Sequence, residues 1–141
     1  MCFSATASFI AGASLSAVGV ATVKQAHRRR EVPFALIPLL FGIQQIIEGL
    51  LWLSFQFDAP ALNLATTYVF SVFSHTLWPI FVPLSVGLLE SVPWRRRVIL
   101  GFQAVGIGIG LYLLYYIVNY PVTAVAEENI VYVSPHFYQV P

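Results

Sequence analysis

The residues of this chain that could do chemistry are few, and they fall among apolar neighbours. The run FGIQQIIEGLLW, residues 41–52, holds Gln44, Gln45 and Glu48, and SVFSHTLWP, residues 71–79, holds Ser71, Ser74 and His75. Residues three and four apart share a helical face. Phe41, Gln45, Glu48 and Trp52 therefore form one stripe, and Tyr68, Ser71, His75 and Pro79 form a second, flanked by Ser74 and Trp78. Glu48 is the one acid and His75 the one histidine deep inside an apolar run. A charge near a bilayer centre costs about 3 kcal/mol or more, so such residues turn inward and find partners. Cys2, with the hydroxyls of Ser4 and Ser8, opens another apolar run at CFSATAS. A thiolate, an imidazole and a carboxylate make a donor set for zinc, copper or iron, completed by water or by His136. Gln45, Trp52, Ser71 and Trp78 would line the same space, where bulky aromatics flanking polar groups suit a small flat cofactor. There is no HExxH, CxxC or HxxxH. A structural alternative thus stands beside the chemical one: Gln45, Glu48, Ser71 and His75 as a hydrogen-bond network that orients helices, Cys2 as a small apolar residue, His136 as a surface histidine, and Trp52 and Trp78 as packing anchors.

The elements that must position these groups follow from composition. The chain has 141 residues, 58% hydrophobic and 9% charged, against about a quarter charged in soluble domains. Four stretches reach the ~20 apolar residues a spanning helix needs: Phe3 to Val23, Val32 to Phe55, Leu62 to Leu89 and Val98 to Val118. None shows the polar outer stripe of a water-soluble bundle. The expected fold is all-α and polytopic, with a four-helix transmembrane domain over 1–118 and an outer-face tail over 119–141. The amino end lacks the basic n-region of a cleavable signal, so the first helix is expected to stay. The seven cations sit in two clusters, KQAHRRR at 24–30 and RRR at 95–97. Positive charge favours the cytoplasmic side, so both termini are expected on the outer face. Arginine runs at helix ends point to topology rather than to nucleic acid.

Packing signals are also legible. Ser8, Gly12 and Ser16 repeat every four residues, and Gly106 and Gly110 form a GxxxG pair, both patterns that let helices approach closely. Pro38 is expected to kink the second helix or delay its start. Pro79 and Pro83 strip donors from the third, so the carbonyls near His75 and Pro79 must find another helix, a hydroxyl or water. Beyond Tyr120 the chain is too polar to span, and NIVYVS has the β-branched and aromatic content of a short strand or an extended surface segment. Glu48 lies about 10 Å inside Phe55 and His75 about 20 Å inside Leu62 at ~1.5 Å per residue. The third span is longer than it needs to be, so the two side chains are expected to meet.

The stretches MCFSATASF, LLFGIQQIIEGLLW and SHTLWPIFVPLSV together resemble a bacterial family of multi-pass membrane proteins known only as a domain of unknown function, whose members begin Met-Cys-Phe-Ser-Ala. The likeness spans most of residues 1–97. It implies a polytopic fold, draws attention to Cys2, Glu48 and His75, and implies relatives with further hydrophobic segments. The leading functional expectation is an outer-leaflet polar site on Glu48 and His75, with Cys2 as a further ligand, that holds a metal ion or small cofactor. Metal-activated water or redox chemistry is the reaction type such a site would support. From other classes come a non-catalytic subunit of a larger membrane complex or oligomer, and a proton or ion conductor relaying through Glu48 and His75. The lipid bilayer is the expected partner in each case.

Overall fold

The computed structural model describes residues 4–126 and 129–134. In chain order these form α1 (Ala5–Gln25), α2 (Val32–Ala35), α3 (Ile37–Gln56), α4 (Pro60–Val72), a π-helical turn (Phe73–Leu77), α5 (Trp78–Leu89), α6 (Pro93–Asn119), β1 (Thr123–Ala126) and β2 (Ile130–Val133). Four helical units, Ala5–Gln25, Val32–Gln56, Pro60–Leu89 and Pro93–Asn119, are long and apolar enough to cross a membrane. The last two begin earlier than hydropathy alone places them, because Pro60 and Pro93 stand at first-turn positions. A missing N–H costs nothing there.

Burial is inverted relative to a soluble protein. Glu48, Thr67, Ser71 and Ser85 are 1% exposed or less, whereas Phe102, Val105, Leu111 and Val118 on α6 are more than half exposed. Small and polar groups fill the interior and large apolar ones face outward, as expected where the solvent is hydrocarbon.

The helices are held by close backbone approach. On α1 and α3, a Cβ at Gly12 would meet the Ile46 side chain at 2.8 Å and the Gly42 carbonyl at 3.0 Å, and one at Gly42 would collide with Ser16. The small-residue stripe of α1 is thus a helix contact, as its spacing predicts. The second span breaks at Leu36, before Pro38 in the first turn of α3. Beside that break, the Thr22 hydroxyl reaches from α1 to the Ala35 carbonyl at 2.9 Å.

The third span divides where its prolines demand it. Placing Pro79 in the first turn of α5 makes its missing donor harmless, and the π turn absorbs the mismatch, with the Trp78 N–H bonding to the Phe73 carbonyl. Pro83 leaves the Pro79 carbonyl without a helical donor, and that oxygen lies directly against Gly106, where a Cβ would overlap it. Nearby, Gln103 Nε2 donates to the Ile80 carbonyl at 3.1 Å and the Thr76 hydroxyl to the Gly110 carbonyl at 3.4 Å. Irregular backbone is thus resolved by the next helix, the condition for placing it at membrane depth.

After α6 the chain makes an antiparallel hairpin, with Thr123 opposite Val133 and Ala124 opposite Tyr132. Period-2 alternation turns Ile130 and Tyr132 to one face, and both pack into the bundle with Leu51, Trp52, Phe55 and Ala124. The segment expected on the outer face is therefore a hairpin docked on α3 and α4.

At the opposite end, Glu31 closes the α1–α2 loop. Its Oε2 accepts the backbone N–H groups of His27 and Arg28 at 3.0 and 3.2 Å. Those two bonds, aided by the Arg28 guanidinium, hold the carboxyl below the ordinary value of about 4.5. A depressed folded-state pKa contributes order that is complete above the ordinary value and fades as pH falls through the depressed one. Amide exchange at His27 and Arg28, corrected for intrinsic rate, is expected to accelerate as pH drops below about 4.5, and Glu31→Gln should remove most of that pH dependence.

Candidate functional site

α3 carries Glu48 into the bundle on the face it shares with Gln44, Leu51 and Trp52. The side chain is 1% exposed. Gln45 Nε2 donates to Glu48 Oε2 at 2.8 Å, while Glu48 Oε1 is buried with no hydrogen-bond partner. Three further buried polar atoms share that condition around it: Trp52 Nε1, Ser71 Oγ and the Tyr132 hydroxyl. Trp52 is one helical turn from Glu48. Tyr132 enters from β2, packs with Trp52 and Leu51, and stacks on Phe70 with centroids 5.0 Å apart and the planes 2° from parallel. Ser71 follows Phe70 on α4. Burial, and secondarily the nearby Glu48 charge, hold the Tyr132 phenol far above its ordinary range, so it is a hydroxyl donor throughout the physiological range.

His75 sits in the π turn. Its Nδ1 lies 3.0 Å from the Ser71 carbonyl and 2.9 Å from Ser74 Oγ, and the Ser74 hydroxyl itself donates to the Phe70 carbonyl at 3.0 Å. A carbonyl only accepts, so the contact to Ser71 makes Nδ1 a hydrogen-bond donor. Glu48 and His75 form no ion pair, since the described residues contain one such pair, Arg28–Glu31 at 4.0 Å. The unwound turn gives His75 local acceptors from its own helix, and Glu48 is engaged by Gln45 of α3.

The other expected site residues are distributed as follows. Gln45 is the Glu48 partner, Trp52 lies one turn along α3 from the carboxylate, and Ser71 is buried on α4. Trp78 stacks on Phe41, centroids 4.1 Å apart, and its Nε1 donates to Gln44 Oε1 at 2.6 Å. That pair ties α5 to α3 beside the site rather than lining it. Trp78→Phe keeps the stack but orphans the buried Gln44 oxygen, and a loss of about 1–3 kcal/mol is expected in detergent unfolding titrations. Cys2 and His136 lie outside the described residues. Among those described, no three His, Cys, Asp or Glu side chains gather as a metal cluster. Outward of Glu48, a cavity of about 360 Å³ between α1 and α3 is lined by Ser4, Ala5, Trp52, Phe55 and Gln56, so Trp52 borders both this space and the carboxylate.

Tyr132 was not singled out by sequence reasoning. Its signal was the alternation in IVYV that sets Ile130 and Tyr132 on one strand face, but nothing in the sequence says that this face docks on α3.

Chemically, the buried groups offer one carboxylate oxygen as acceptor and two hydroxyls and an indole N–H as donors. No match to the chain was found among curated proteins or among solved structures. A family model described as "Family of unknown function (DUF6629)" matches residues 1–137. The four-span bundle with its polar interior therefore belongs to a chain that is a member of the DUF6629 family.

Proposed function

We propose that the buried polar groups around Glu48 bind a small polar or cationic ligand, a metal ion or a small cofactor, in the outer half of a four-span protein of the bacterial inner membrane. The observation that carries this reading is the group of four buried polar atoms, Glu48 Oε1, Trp52 Nε1, Ser71 Oγ and Tyr132 OH, without protein partners. A purely structural network satisfies its members, because each unpaired buried group costs about 1–3 kcal/mol. A ligand that presents a cation or donor to Glu48 and acceptors to the hydroxyls and indole would complete the set. The basic loops at Lys24–Arg30 and Arg95–Arg97 support an orientation with the hairpin end outside.

The test is elemental analysis and native mass spectrometry of protein purified in mild detergent. Stoichiometric zinc, copper or iron, or a discrete small-molecule adduct, is expected in the wild type and is lost in Glu48→Gln. Wild-type protein with neither would sink the reading. In a Cys2→Ser background, cysteine labelling of intact cells should reach Asp58→Cys from outside and leave Arg29→Cys protected, and the reverse pattern would invert the orientation.

A further inference from the structure

Where α5 meets α6, at the end of the bundle remote from Glu48, the helices diverge and leave a groove of about 170 Å³ open to the lipid side. Its walls are Pro83, Leu84 and Leu88 on α5 and Ile99 and Leu100 on α6, and Arg96 stands among the lining residues. Gly87 keeps the groove open, because a side chain there would begin 3.2 Å from Ile99 Cγ2. Gln103 closes the inner end, with its Nε2 already given to the Ile80 carbonyl.

We infer that this groove is a binding site for one anionic phospholipid, with its phosphate on Arg96 and the upper part of one acyl chain along the walls. Three features select that occupant. The groove is apolar along its length and basic at its interfacial end. Basic pockets between membrane helices at a charged interface take lipid head groups by this combination. Arg96 also has no acidic group within 4.0 Å among the described residues, unlike Arg28, which is paired with Glu31. The nearest acid in sequence, Glu90, accepts the Val92 N–H at 2.9 Å. Finally, the groove runs from Arg96 to Gln103, about 10 Å at 1.5 Å per residue, and a helix about 10 Å across could not enter it. An acyl chain can. Arg95, stacked 5.4 Å over the Trp94 ring, lies outside the groove lining and offers a matched control.

The experiment is native mass spectrometry of the full chain reconstituted with phosphatidylglycerol or with phosphatidylcholine of the same acyl chains. One phosphatidylglycerol per chain is expected to survive release, preferred over phosphatidylcholine by about fivefold or more for one interfacial arginine. Arg96→Gln should cut retention to the phosphatidylcholine level, Arg96→Lys should keep most of it, and Gly87→Leu should lower retention of both lipids by filling the groove. Arg95→Gln, which removes the same formal charge, should stay within about twofold of wild type, since only a groove-lining charge meets the head group directly. Equal losses in Arg95→Gln and Arg96→Gln, or equal retention of the two lipids by the wild type, would overturn the inference. Circular dichroism of each variant confirms that lost retention is not lost fold.

Discussion

Gly106→Ala is expected to lower resistance to unfolding by about 2–4 kcal/mol, whereas Gly108→Ala, two residues on, leaves it within about 1 kcal/mol. The difference comes from what each position faces. A methyl on Gly106 would overlap the Pro79 carbonyl, an oxygen that Pro83 deprives of its helical donor and that α6 covers with bare backbone. To admit the methyl, α6 must move away from α5, which exposes the unpaired carbonyl and stretches the Gln103–Ile80 and Thr76–Gly110 bonds on either side. Gly108 has nothing within 4 Å of where its Cβ would be, so alanine there meets only hydrocarbon and gains a little helix propensity. Unfolding titrations in mixed micelles measure both, and equal effects of the two substitutions would show that α6 does not pack on the proline break.

Glu48→Gln should have opposite consequences for binding and for stability. If Glu48 holds a ligand, the substitution abolishes stoichiometric retention, yet the unliganded protein should be as stable as wild type or more so, by about 1–2 kcal/mol. The carboxylate is 1% exposed, and among the described residues it has one oxygen engaged by Gln45, the other unpaired, and no side-chain cation in an ion pair with it. Burying such a group costs more than its single hydrogen bond returns, whereas a glutamine carbonyl can still accept from Gln45 without the charge. A structural Glu48 predicts the reverse, with stability falling by about 3 kcal/mol or more. Thermal unfolding of wild type and variant, each stripped of ligand, separates the two cases.

How much of this was legible beforehand differs from element to element. The four helices long and apolar enough to cross a membrane could be read because lipid imposes a length and an apolar composition on any helix that crosses it. The α1 contact could be read because Ser8, Gly12 and Ser16 leave few alternatives to close approach. The proline break in the third span was also visible, down to the carbonyl that needed another helix, because removal of a backbone donor is local chemistry. The local setting of His75 was not legible, because the π turn that brings Ser74 Oγ and the Ser71 carbonyl to its Nδ1 leaves no mark in residue spacing. Tyr132 escaped notice because its role depends on where the hairpin lands.

By itself the chain's order of residues determined the number of spans, the places where the backbone breaks, the helix faces that pack closely, and the presence of a buried acid that must be accommodated. These are properties of single segments and their surroundings, governed by hydropathy, side-chain size and missing donors. Only the tertiary structure decided which polar atoms remain unpaired around Glu48, that Gln44 is taken by Trp78, that Tyr132 reaches in from the hairpin, and that Arg96 borders a groove. Each of those depends on the relative placement of segments distant in sequence, which is set by the whole bundle's packing.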